Sequence, residues 1–155
     1  MARFHATSEG NVPFTVQEEL DQDAIDLAYS STQIDRDKQY KIQAIKDNTN
    51  LSAPVTIGLV TYNGGDSSAS AIMGGINLAN LNQESNMAIW DIDNYVRTYS
   101  ITEAMSIVNT IALAYRSNAL ARQNKIMAIN AITIDTQGLY PTYESAKTAL
   151  DLITV

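Results

Sequence analysis

Few side chains in this sequence are equipped for chemistry, and spacing decides what each could do. His5 is the only histidine. It lies where Gly10-Asn11 and Pro13 argue against any long element, so the sequence supplies none of the rigid support that an acid–base or metal-ligating imidazole requires. Asp91-Ile92-Asp93-Asn94 begins like a calcium loop, but its sixth position is not Gly and its twelfth is Thr102 rather than a bidentate Glu. A hairpin turn accounts for it better. Tyr62-Asn63-Gly64-Gly65-Asp66 lacks the GK[ST] of a phosphate loop, which leaves its glycines as turn residues. Asp21, Asp23, Asp26, Asp35 and Asp37 fall on a helix whose spacing sends them in different directions, the pattern of a solvated face. One grouping stays open: Asp66, Asp91 and Glu103 could meet in the fold, where like charges would raise at least one pKa. Two of them have simpler work as helix caps. The chain has no cysteine, which excludes thiol nucleophiles, thiolate metal sites and disulfides. The expectation is a protein without catalytic, cofactor-binding or metal-binding residues, acting by association.

The elements that would carry these groups can be read in order. Residues 1–14 read as an irregular arm. Thr15-Val16-Gln17-Glu18 is a capping box, and no Gly or Pro follows until after Asp47, so residues 15–50 predict one long helix for oligomerisation or docking. Leu20, Ala24, Leu27 and Ile34 keep a coiled-coil-like seam that Ser31, Lys38 and Lys41 interrupt, and the apolar positions then move to Ile42 and Ile45. So narrow a stripe buries too little to hold a helix alone, and predicts contact with another chain along Leu20, Leu27, Ile34 and Ile45. Tyr29 and Tyr40 join that interface set, since tyrosine favours interfaces.

Asn48 to Pro54 reads as a boundary, with residues 51–155 forming a small α+β domain. Pro54 to Tyr62 is a β-branched strand, and Asp66 is placed to cap a helix over 67–81. Gly74 and Gly75 inside that helix predict close approach of a neighbouring element. Ala88–Asp91 and Tyr95–Tyr99 form a hairpin around Ile92-Asp93-Asn94, with Trp90 expected to pack on the helix that follows. Ser100-Ile101-Thr102-Glu103 is a second capping box. It opens a helix whose apolar positions (Ile101, Met105, Val108, Ala112, Tyr115, Ala119, Ile126, Ile129) keep a 4-3 spacing, widened by Ala104, Ile107, Ile111 and Ala114. A last short helix spans Tyr143 to Ile153. The fold class is α+β and predominantly helical: a long N-terminal helix, then short strands and a hairpin packed on a long helix.

Composition narrows the partners. The 155 residues, 45% hydrophobic, suffice for one core. A net charge of −7 and a pI near 4.5 repel phosphate, so neither nucleic acid nor an anionic membrane is an expected partner. The N-terminal residues lack the apolar stretch of a signal peptide, and no window is long and apolar enough for a membrane span. Synthesis in the cytoplasm as a soluble protein is expected.

Two stretches carry a resemblance. Gly10-Asn11-Val12-Pro13-Phe14-Thr15-Val16-Gln17-Glu18-Glu19, leading into a charged helix, resembles the "G-x-V-P-F-T-x-x-E-E" opening of small bacteriophage tail proteins. In those proteins the helix ends in an Arg-rich stretch. Here Arg36-Asp37-Lys38 through Ile45-Lys46-Asp47 stands in that place, with Lys largely replacing Arg. From about Val55 the chain is similar to a phage tail-fibre domain of unknown function, over Tyr62–Ser68, Ala71–Ala79, Trp90–Asn94, Thr98–Glu103 and the helix from Ala104 through Ala131. The first helix departs from the pattern in lacking its alanine and arginine richness, and residues 133–155 have no counterpart. The resemblance implies a structural component of the virion, fibre- or baseplate-associated, or alternatively a tail-fibre assembly chaperone absent from the mature particle. Other tail or baseplate proteins and copies of the chain itself are the implied partners.

Overall fold

The computed structural model describes residues 3–7 and 10–155. Four helices and three two-stranded antiparallel hairpins make up its regular structure, an α+β fold dominated by helix. Contacts gather the chain into two compact units: residues 1–44 with 126–155, and the continuous segment 45–125.

The unit formed by residues 45–125 has an apolar centre. Strands β1 (Val55–Ile57) and β2 (Val60–Tyr62) pair through a two-residue turn with Gly58 at φ 64°. The single strand expected over residues 54–62 is therefore a hairpin. A glycine at the first central position is the preference of a turn whose twist suits the flanking strands. Helix α1 (Asp66–Leu81) follows. Strands β3 (Asn86–Trp90) and β4 (Val96–Ser100) pair in register from Asn86↔Ser100 to Trp90↔Val96, as the hairpin pattern predicts. Helix α2 (Ile101–Asn130) starts at the expected capping box: the Glu103 carboxylate accepts from the Ser100 N–H at 2.9 Å, and the Ser100 hydroxyl accepts from the Glu103 N–H at 3.3 Å. Tyr62, Ala69, Ile76, Ile89, Ala104, Ile107, Val108 and Ile111 form one buried cluster. Four of these eight lie in the first three turns of α2, the broad apolar face read from its sequence.

Three expectations need correction in this unit. Trp90 is 59% exposed, because the two-residue period of β3 turns Met87 and Ile89 inward and Ala88 and Trp90 outward. The Trp90 ring is therefore not the hairpin's core anchor; Ile89 is. Asp66 is the first residue of α1 rather than its cap, and Gly65 in the cap position offers no side-chain bond. The close approach expected at the helical glycines holds at Gly75 alone, where an added Cβ would lie 2.7 Å from the Met87 methyl; Gly74 faces open space.

The other unit is built on helix α3 (Val16–Asn48), most of which belongs to it, and on helix α4 (Tyr143–Leu152). The N-terminal segment is not irregular. Strands β5 (Phe4–Thr7) and β6 (Gly10–Pro13) pair from Phe4↔Pro13 to Thr7↔Gly10. Two strands offer only edges, where Pro13 and Gly10 (φ 122°) are tolerated, so the residues that preclude a long element still permit a short hairpin. The α3 capping box forms as expected, with Thr15 N–H donating to Glu18 at 2.8 Å and Glu18 N–H to the Thr15 hydroxyl at 3.3 Å.

Ile34, Ile42, Ile129, Ile132, Ala146 and Leu150 supply the buried apolar side chains here. Polar links do the rest. Lys38, an interruption of the seam on paper, is buried with its ammonium donating to the Ile132 carbonyl at 2.9 Å, just past the end of α2, and lies 3.4 Å from Asp35. A cation suits the unpaired carbonyls and partial negative charge at a helix C-terminus. The Tyr143 hydroxyl donates to Asp37 at 2.7 Å. These bonds attach the C-terminal segment to the long helix, so residues 15–50 are not a separate arm and residues 51–155 are not one domain.

Candidate functional site

The titratable groups fall into local structural tasks. Asp91 is 3% exposed, and its Oδ1 accepts from the backbone N–H groups of Tyr95 (2.9 Å) and Asp93 (3.1 Å). Its Oδ2 accepts from Arg97 Nε at 3.0 Å. Burial pushes its pKa up, but the donations from Tyr95, Arg97 and Asp93 outweigh it and hold the carboxyl below its ordinary value. The carboxylate's oxygens are thus occupied in closing the β3–β4 turn. Glu103 is held low by the hydroxyl and backbone N–H of Ser100. Among the described residues, no three of His, Cys, Asp and Glu gather as a metal site would require, which leaves Asp66, Asp91 and Glu103 without a shared centre of that kind.

His5 is better supported than its sequence setting predicts. Its ring stacks on Phe14 with centroids 4.3 Å apart, and Nε2 sits 3.0 Å from Glu18. Both contacts are products of the β5–β6 hairpin. Beside them Arg3 reaches three carboxylates of α3: Glu19 at 3.0 Å, Asp23 at 2.7 Å and Asp26 at 2.7 Å. Positions 19, 23 and 26 follow the i, i+4, i+7 rule of one helical face, so Asp23 and Asp26, expected to point apart, share Arg3 with Glu19. Their hydrogen bonds and charge, led by the Asp23 hydrogen bond, raise the Arg3 pKa against the opposing effect of desolvation. The sequence signal was present in that spacing; its cationic partner, 16 to 23 residues upstream, was not visible.

A groove of about 270 Å³ runs between α1 and β3, walled by Ile72, Gly75, Met87, Ile89 and Trp90, with Asn63 at one end. Tyr62 is the one acid or base in its lining. That phenol is pushed upward by burial first and by its bond to the Tyr99 hydroxyl second, so it stays protonated at neutral pH. Gly64, next in the turn, allows a backbone approach to Ala53 that any Cβ would block, since it would sit 1.8 Å from the Ala53 carbonyl oxygen. The glycines are turn residues, as their sequence context indicates. The groove therefore presents apolar walls around a protonated phenol.

The predicted interface residues divide. Ile34 (2% exposed) and Ile45 (fully buried) are covered by their own chain and leave the interface set. Leu20 (57%) and Leu27 (38%) continue the same stripe toward the N-terminus, with Leu27 bordering a cleft also lined by Ile134, Pro141 and Tyr143. Tyr29 and Tyr40 are largely exposed and lie on the opposite side of the helix, with Ile25, which sequence reasoning passed over because it breaks the seam. No helix of the described residues is long and apolar enough to cross a membrane. Comparison with family models, curated proteins and solved structures finds no match.

Proposed function

We propose that this chain is a structural component of a bacteriophage tail, attached at the fibre or baseplate and acting by protein–protein association. The observation that carries the association is the apolar stripe of α3. It is core at Ile34 and Ile42 and runs on, exposed, through Leu27 and Leu20. Apolar side chains continuous with a core but open to water mark a surface that a partner covers. The phage-tail assignment is supported by the ordered motifs from Gly10 to Glu19 and from Tyr62 to Glu103. In this reading the protein takes no cofactor, carries out no reaction and resides in the tail of the virion, after synthesis in the host cytoplasm.

Quantitative mass spectrometry of purified virions tests the proposal. A structural component is present at a fixed ratio to the tail proteins. A protein abundant in infected cells but absent from particles, or far below stoichiometric, is instead a tail-fibre assembly chaperone.

A further inference from the structure

Helix α3 presents a second face, opposite its seam, whose composition identifies an occupant. Ile25, Tyr29 and Tyr40 are each more than half exposed there, and Arg36 is exposed among them. Steps of four and seven residues keep all four on one side of a 3.6-residue helix. Tyrosine and arginine are the residues that dominate protein interfaces. Among the described residues Arg36 has no acidic partner, and Asp21, near the other end of the same face, bonds only to the Gln17 amide at 2.7 Å.

Charge along the helix is segregated. On this face Asp21 lies toward the beginning and Arg36 toward the end; Lys38 is on the other side, buried against the Ile132 carbonyl, and Glu19 is paired with Arg3. We infer that this face binds a second copy of the chain, with the two α3 helices antiparallel. Setting Arg36 of one copy against Asp21 of the other brings each 36–41 segment beside the partner's 16–21 segment and places Tyr29 near the two-fold axis. Ile25 then faces Thr32 of the other copy. A parallel pair would oppose Asp21 to Asp21 and Arg36 to Arg36. The antiparallel pair satisfies Arg36 and Asp21 twice by symmetry, as a self-complementary interface must. The overlap, residues 16–41 of each copy, spans about 39 Å of helix.

The inference rests on reading the chain as an association protein, and is independent of which particle it belongs to. Sedimentation equilibrium on the full chain at low salt tests it. The parent is expected to dimerise, and Arg36→Glu and Asp21→Arg are each expected to weaken association by about tenfold or more, since opposed like charges weigh heavily at an interface. The double variant, which restores the opposite pairing with signs exchanged, is expected to return to within a few-fold of the parent. Circular dichroism confirms that each variant keeps its helix content, which substitutions at exposed sites leave intact. A monomeric parent, a dimer indifferent to either single change, or a double variant no better than the singles overturns the inference. Each of those outcomes leaves the virion measurement standing, and a negative virion measurement leaves the dimer standing.

Discussion

The two compact units are held by different forces. Residues 45–125 close around eight clustered core side chains, seven of them aliphatic, with Tyr62 turning its hydroxyl to Tyr99 at the margin. Residues 1–44 and 126–155 bury fewer large apolar groups, and are joined by Arg3 to three carboxylates, Lys38 to a carbonyl and Tyr143 to Asp37. Apolar burial is non-directional and carries no titrating group, whereas the polar links depend on charge state and are screened by salt. The comparison teaches where each kind of surface goes. The first unit uses its best apolar face internally, and the second leaves Leu20, Ile25 and Leu27 of α3 exposed.

The largest expected effect comes from cutting into the apolar unit. Ile111 is fully buried within its cluster, so Ile111→Ala is expected to lower the unfolding free energy by about 2–5 kcal/mol. Urea melts provide the measurement, and a loss below about 1 kcal/mol would mean that residues 45–125 do not depend on this core. Next in size is Lys38→Ala, which strands the Ile132 carbonyl beneath the fold. Leaving a buried acceptor unpaired typically costs about 1–3 kcal/mol. Equal stability of parent and variant would remove the ammonium from the forces holding that unit.

The smallest effect is a difference in pH response. The bond to Asp37, with some desolvation, pushes the Tyr143 phenol from its ordinary 10.0 up to about 12. A pKa raised by folding contributes stability that is complete below the unfolded value and is lost as pH climbs through the folded one. Parent and Tyr143→Phe melting temperatures should therefore differ at pH 8 and converge between about pH 10 and 12. A constant gap across that range would show that the hydroxyl acts through packing and not through its proton.

What was legible in the sequence follows the same division. Both capping boxes, the β3–β4 hairpin and the broad face of α2 depend on residues a few positions apart, and each forms where its motif lies. The second unit was hidden because its decisive contacts are distant: Lys38 and Ile132 are 94 positions apart, and Asp37 and Tyr143 are 106. No local pattern marks such a pair, so Lys38 read as a flaw in a seam and the long helix as a free arm. Trp90 failed for a different reason. Met87, Ala88, Ile89 and Trp90 are all apolar, so the segment alternates only imperfectly and does not by itself say whether Ile89 or Trp90 faces the core.

The discontinuity of the second unit also sets an order of events on the ribosome. Residues 45–125 are contiguous, so every contact of that unit can form as soon as residue 125 has emerged. The contacts of residues 1–44 with 126–155 require closing a loop of 81 residues, the whole of the other unit, and must wait for the later segment to be made. Collapse of residues 45–125 shortens that loop in advance, turning a costly search by a flexible chain into a meeting of two ends. Until it happens, the apolar side of α3 at Ile34 and Ile42 is uncovered, and the nascent protein exposes a longer apolar stripe than the finished one.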